Sequence, residues 1–124
     1  MDLSFDEPHL LASLESLQLP DFDELQFGLI VMDRAGDVVA YNAFEASRAG
    51  LNPENVVGRN FFLSVGPCTN NYLIAQRYLD EPDLDDFLDF VFTLRMKPTP
   101  VRLRLMACRD SERQYLAITE RILN

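Results

Sequence analysis

Residues 27–41 read FGLIVMDRAGDVVAY. Two short apolar runs rich in β-branched residues flank Arg34-Ala35-Gly36, a pattern that predicts a β-hairpin. Toward the C-terminus, Asn42 is placed to cap a short helix, with Glu45 three residues on as in a capping box and Gly50 as a natural stop. Asn52-Pro53 offers a second capped start, with proline in the first helical position. Gly58, the pair Phe61-Phe62 and the turn Gly66-Pro67 lead to Cys68, and the following TNNYLIAQRYLDE has helical periodicity. Cys68 is therefore expected just ahead of a helix.

The last third alternates in period two. Leu88, Phe90, Phe92, Leu94 and Met96 share one face of a strand, and Lys97-Pro98-Thr99-Pro100 turns the chain. Val101, Leu103 and Leu105 then face one way and Arg102 and Arg104 the other, and QYLAITER supplies a last strand. Two strands, several short helices and three strands predict an α+β fold: a five-stranded antiparallel sheet with helices gathered over one face, because an apolar sheet face needs a cover. Upstream of the hairpin, Leu10, Leu11, Leu14 and Leu17 fall at helical spacing until Pro20 stops the pattern. Residues 1–25 thus read as an amphipathic helical cap on a domain spanning 26–124.

With 124 residues, 48% of them hydrophobic, the chain suits one core. Against 11 Lys and Arg stand 20 Asp and Glu, a net charge of -9 that repels phosphate backbones and anionic lipid headgroups. Nucleic acid and membrane surfaces are not expected partners. The acid excess is compatible with a high-salt habitat and with plain solubility alike. The N-terminus has no basic region, and no segment approaches the roughly 18 apolar residues of a membrane span, so a cytoplasmic protein is expected. Two cysteines, Cys68 and Cys108, are too few for a disulfide framework, and His9 alone cannot complete a zinc site. Any His-activated nucleophile would have to use His9 in the cap, so no catalytic turnover is expected. Small-ligand binding at a single interior cysteine, Cys68, is expected instead.

Taken together, FGLIVMD, DVVAYNAFEASRAG, VVGRNFFLSVGPCT and FTLRMKPTPVRLRL resemble the photoactive yellow protein family of PAS-fold blue-light receptors, over about residues 26–121. GRNFF and PCT are the most specific parts. The resemblance implies that Cys68 carries 4-hydroxycinnamic acid (p-coumaric acid) as a covalent thioester. It implies further that Tyr41 and a protonated Glu45 hydrogen-bond the phenolate, that Phe62 and Phe92 pack near the ring, and that Met96 influences dark recovery. Light would isomerise the cinnamoyl double bond and Glu45 would pass its proton to the phenolate. The carboxylate left uncompensated in a low-dielectric interior would drive a structural change that loosens the cap.

Elementary physics supports the same site. Tyr41 and Glu45 lie four apart, so on a helix they project from one face toward a single acceptor. A carboxyl group buried among Phe61, Phe62 and Phe92 titrates high and stays a hydrogen-bond donor near neutrality. A cysteine ahead of a helix N-terminus favours thiolate, the form that attacks an activated acyl donor.

Two positions depart from the family pattern: its tyrosine-supporting threonine falls on Ala49, and its pocket-covering arginine on Leu51. The first change removes a hydrogen bond of roughly 1 kcal/mol; the second closes the pocket with an apolar side chain. A chromophore-free PAS domain acting in interaction or dimerisation, or holding another pocket ligand, is the alternative that these departures favour. A thiol redox sensor at Cys68 needs solvent access and a depressed pKa, which apolar surroundings oppose. Cys108 reads as a packed strand residue. The downstream signalling protein is not legible, and a homodimer stays open.

Overall fold

In the computed structural model, residues 2–94 and 97–121 are described. Strands β1 (Gly28–Asp33) and β2 (Val38–Tyr41) form the expected hairpin. Its turn is closed by Asp33, whose carboxylate accepts the Ala35 and Asp37 amides at 2.9 and 3.0 Å, with Gly36 at φ 90°, which a side chain would disfavour. Helix α2 (Ala43–Ala49) follows and ends at Gly50 in the left-handed region. Short turns at Pro53–Asn55, Phe61–Val65 and Pro67–Thr69 lead to α3 (Ala75–Asp80). Then come β3 (Leu84–Leu94), β4 (Lys97–Ala107) and β5 (Arg113–Glu120).

All pairings are antiparallel, in the order β2-β1-β5-β4-β3, so the first and last strands lie side by side at the centre. Central strands must bury both faces, which is why GLIVM and QYLAI are nearly continuous apolar runs. Ile30, Met32, Leu116 and Ile118 face the short helices and turns, packing with Phe61, Phe62, Ile74 and Tyr78. Their neighbours Leu29, Val31, Tyr115 and Ala117 face the opposite way.

That opposite face is covered by the N-terminal segment. Its α1 (Leu10–Glu15) and the 3-10 turn Leu19–Glu24 bury Leu10, Leu14 and Phe22 against the sheet, together with Phe5. Arg104, expected on the outward strand face, does lie there, but its side chain is only 4% exposed because the segment lies over it. The guanidinium donates to both carboxylate oxygens of Asp85 at 2.8 and 2.9 Å, and to the carbonyls of Phe5 and Glu7 at 3.0 and 2.7 Å. Phe87 lies beneath it at 4.9 Å. A buried cation is tolerable because its donors are paired.

Candidate functional site

The helix-covered side of the sheet contains a cleft of about 400 Å³, lined by Ile30, Tyr41, Glu45, Ala49, Leu51, Phe61, Val65, Gly66, Cys68, Phe92, Thr93 and Ile118. That volume falls within the roughly 300–1,000 Å³ of small-molecule sites, and its mostly apolar walls with a few polar groups are the usual chemistry of one.

Tyr41 and Glu45 both reach the cleft, from different elements. Tyr41 closes β2, whereas Glu45 lies in the first turn of α2, so the single helix face expected from their spacing is not what brings them together. The pivot is Asn42, which is buried. Its side-chain oxygen accepts the Glu45 and Leu29 amides at 3.1 and 2.9 Å, and its amide donates to the carbonyls of Phe22 and Phe27 at 2.9 and 3.0 Å. One side chain thereby ties β1, α2 and the N-terminal segment together. Only half of the capping box forms: the backbone N–H of Asn42 donates to the Leu29 carbonyl, and the Glu45 carboxyl is released to face the cleft.

Glu45 is 2% exposed. Burial raises its carboxyl above the ordinary carboxylate value, and the guanidinium of Arg48, in direct contact, offsets only part of that rise. Burial, reinforced by Glu45, also raises Tyr41 well beyond the ordinary tyrosine value, so its hydroxyl remains a neutral donor. Arg48 was not legible as a site residue, although its position three after Glu45 on a helix was the available signal. A second missed residue is Gly28. A Cβ there would collide with the Glu45 carboxylate oxygen and lie 2.6 Å from Arg48 Nη2, so glycine makes room for the pair.

Cys68 departs from expectation in two respects. It sits inside the 3-10 turn Pro67–Thr69, and α3 starts only at Ala75. Asn71 causes the delay: its side-chain oxygen takes the amides of Leu73 and Ile74 at 2.9 and 3.1 Å, a local bond that competes with helical turns. Cys68 therefore gains nothing from a helix dipole. The cysteine is also exposed at the cleft rim rather than interior, and partial burial pushes its thiol up from the ordinary value, against its own backbone amide. Alkylation of Cys68 in a Cys108→Ser background should show a pH midpoint above the roughly 8.5 of a free cysteine. A midpoint below that value would revive the redox reading.

Of the expected aromatics, Phe92 is buried and lines the cleft. Phe62 does not line it. Neighbours on a helical turn point in different directions, so Phe61 takes the cleft while Phe62 packs on Tyr78 at 5.8 Å. Gly66 admits the Phe61 ring, which lies 2.8 Å from where a Cβ would stand. Ala49 and Leu51 both line the cleft, and Leu51, 43% exposed, sits at its rim without sealing it. Met96 lies outside the described residues. Cys108 follows the end of β4 and is partly exposed.

No helix among the described residues is long and apolar enough to cross a membrane, and no cluster there offers three metal ligands.

No family model matches the chain. It is 36% identical to a photoactive yellow protein of Rhodothalassium salexigens over 86 residues, 67% of this chain and 69% of that protein. To that of Halochromatium salexigens it is 35% identical over 96 residues, 75% of this chain and 77% of that one. Among solved structures, the photoactive yellow protein domain of the sensor histidine kinase Ppr from Rhodospirillum centenum superposes with a TM-score of 0.79 at 33% identity, covering 88% of this chain and 98% of that domain. The five-stranded sheet with its short helices is thus a PAS fold, and the chain belongs to the photoactive yellow protein family.

Proposed function

We propose that the chain is a blue-light photoreceptor holding a 4-hydroxycinnamoyl thioester on Cys68. The observation that carries this reading is the convergence of Cys68, Tyr41 and Glu45, from a turn, a strand and a helix, on one apolar cleft. When bound, the group supplies a light-isomerisable double bond and a titratable aryl oxygen. Attachment would transfer the acyl group of an activated donor: the Cys68 sulfur would attack the carbonyl, the thiol proton would pass to solvent, and the donor's leaving group would depart with its bonding pair. Tyr41 would donate to the aryl oxygen, and Glu45 would be the carboxyl placed to hold or give up a proton beside it. The walls formed by Phe61, Phe92 and Ile118 keep water from the ring. A carboxylate newly ionised at Glu45 is 2% exposed, and the contact with Arg48 offsets only part of the burial cost, so relieving the remainder would loosen the structure around it. A cytoplasmic signalling protein that senses the loosened state would be the partner.

The test is incubation of the purified protein with activated 4-hydroxycinnamic acid, followed by intact mass and absorption spectra, with Cys68→Ser alongside. One acyl adduct that needs Cys68 and a band that bleaches reversibly in light are expected. A folded protein that takes up no acyl group would leave a chromophore-free PAS interaction or dimerisation domain instead.

A further inference from the structure

Glu45 lines the cleft, and Arg48, which does not, is paired with it. Arg48 is enclosed, with a side chain 10% exposed. Its Nη2 donates to Glu45 and, at 3.1 Å, to the carbonyl of Ile118 on β5. Its Nε is buried without a hydrogen-bond partner among the described residues, and Phe44 lies 5.4 Å from the guanidinium. Glu45 is the carboxylate in contact with this cation. Gly28, unable to carry even a methyl group here, keeps the two in contact.

We infer that Arg48 is a positioning residue of the light-sensing site: it competes with a bound aryl oxygen for Glu45 and so draws their shared proton away from the glutamate. This deepens the photoreceptor reading, and its second test rests on that reading. With a ligand in place, one proton lies between the aryl oxygen and Glu45. The site has the same total charge wherever that proton sits. A cation touching Glu45 favours the arrangement with ionised Glu45 and a neutral aryl hydroxyl, because its attraction falls off with distance to the aryl oxygen. Among the described residues, the charged and titratable groups facing Glu45 are Tyr41 from β2, Glu120 from β5, Cys68 across the cleft and Arg48 on its own helix. Arg48 is the cation among them. Burial and Arg48 act on Glu45 in opposite directions, so removing the arginine leaves burial unopposed.

Three proteins decide the matter: the native chain, Arg48→Met, which keeps the bulk without the charge, and Arg48→Lys, which keeps the charge. Infrared spectra of the unloaded proteins at pH 7, with Glu45→Gln to assign the protonated carboxyl stretch, report on Glu45 itself. The protonated-to-ionised ratio should rise about tenfold or more in Arg48→Met and stay within about threefold of native in Arg48→Lys. After acylation, the ratio of the long-wavelength aryl-oxyanion band to the short-wavelength aryl-hydroxyl band should follow the same order. Equal ratios in the native and methionine proteins, or equal changes in the methionine and lysine proteins, would overturn the inference in favour of a packing role. Failure to acylate sinks the photoreceptor reading alone, since the infrared comparison needs no bound group.

Discussion

Arg104→Ala is expected to destabilise the protein by about 2–3 kcal/mol, because the carbonyls of Phe5 and Glu7 in the covering segment lose their charged donor. The arginine is 4% exposed, and four hydrogen bonds leave it: two to Asp85 and one each to the carbonyls of Phe5 and Glu7. Truncation strips two backbone acceptors of their donor and leaves Asp85 without its cation. It also opens a gap over Phe87. The two carbonyls belong to the segment that covers the sheet, so the loss should be concentrated there. Denaturant unfolding should show a lower midpoint, and limited proteolysis should cut before residue 25 faster than in the native chain. A midpoint shift worth less than about 1 kcal/mol, the value of an exposed pair, would mean that the covering segment is held by its apolar contacts alone.

Gly28→Ala should cost about 2–3 kcal/mol, as overpacking does in a rigid core. The sign is informative, since alanine in a strand ordinarily gains stability over glycine by restricting the unfolded chain. Here the new methyl would overlap the Glu45 carboxylate and press on Arg48, and β1 cannot retreat because Gly28 is paired with Ile118 of β5. In an Arg48→Met background part of the crowding is gone, so the cost should shrink and a double-mutant cycle should return a coupling of about 1 kcal/mol. Additive costs would place the strain elsewhere.

The fold was legible wherever local chemistry and global packing agree. Alternation from Val101 to Leu105, the Asp33 to Gly36 turn and the Asn42 to Gly50 helix are set by neighbours in sequence and stand where the pattern put them. Lys97–Pro100, expected to turn the chain, instead begin β4 and pair with Val91–Leu94, because two prolines on an outer pair of strands tolerate extended backbone. The segment after Cys68 misled because Leu73, Ile74, Tyr78 and Leu79 carry helical spacing, while Asn71, a short polar side chain, takes the amides of an early turn for itself. Alternation likewise put Arg104 on the outward face without telling that residues 5 and 7 lie over it. Within the site, Cys68, Tyr41 and Glu45 were found through their neighbours in sequence. Arg48 and Gly28 were not, since each acts by what it leaves room for or touches across the sheet, and a linear pattern holds no record of that. Phe61 and Phe62 are adjacent and chemically identical, and only the twist of their turn assigns one to the cleft.

The strand order leaves β3 as the long outer border of the sheet, eleven residues facing outward beyond β4. An open border of this length is a template on which another chain can add a strand and begin a fibril. Asp83, just before β3, and Asp85, Asp86 and Asp89 along it set a row of carboxylates there, and arginines from elsewhere in the same chain hold several of them in place. An incoming copy would have to lay its own aspartates against this row. Part of the acid excess is thus placed where it disfavours the addition of a like-charged strand to the open border of the sheet.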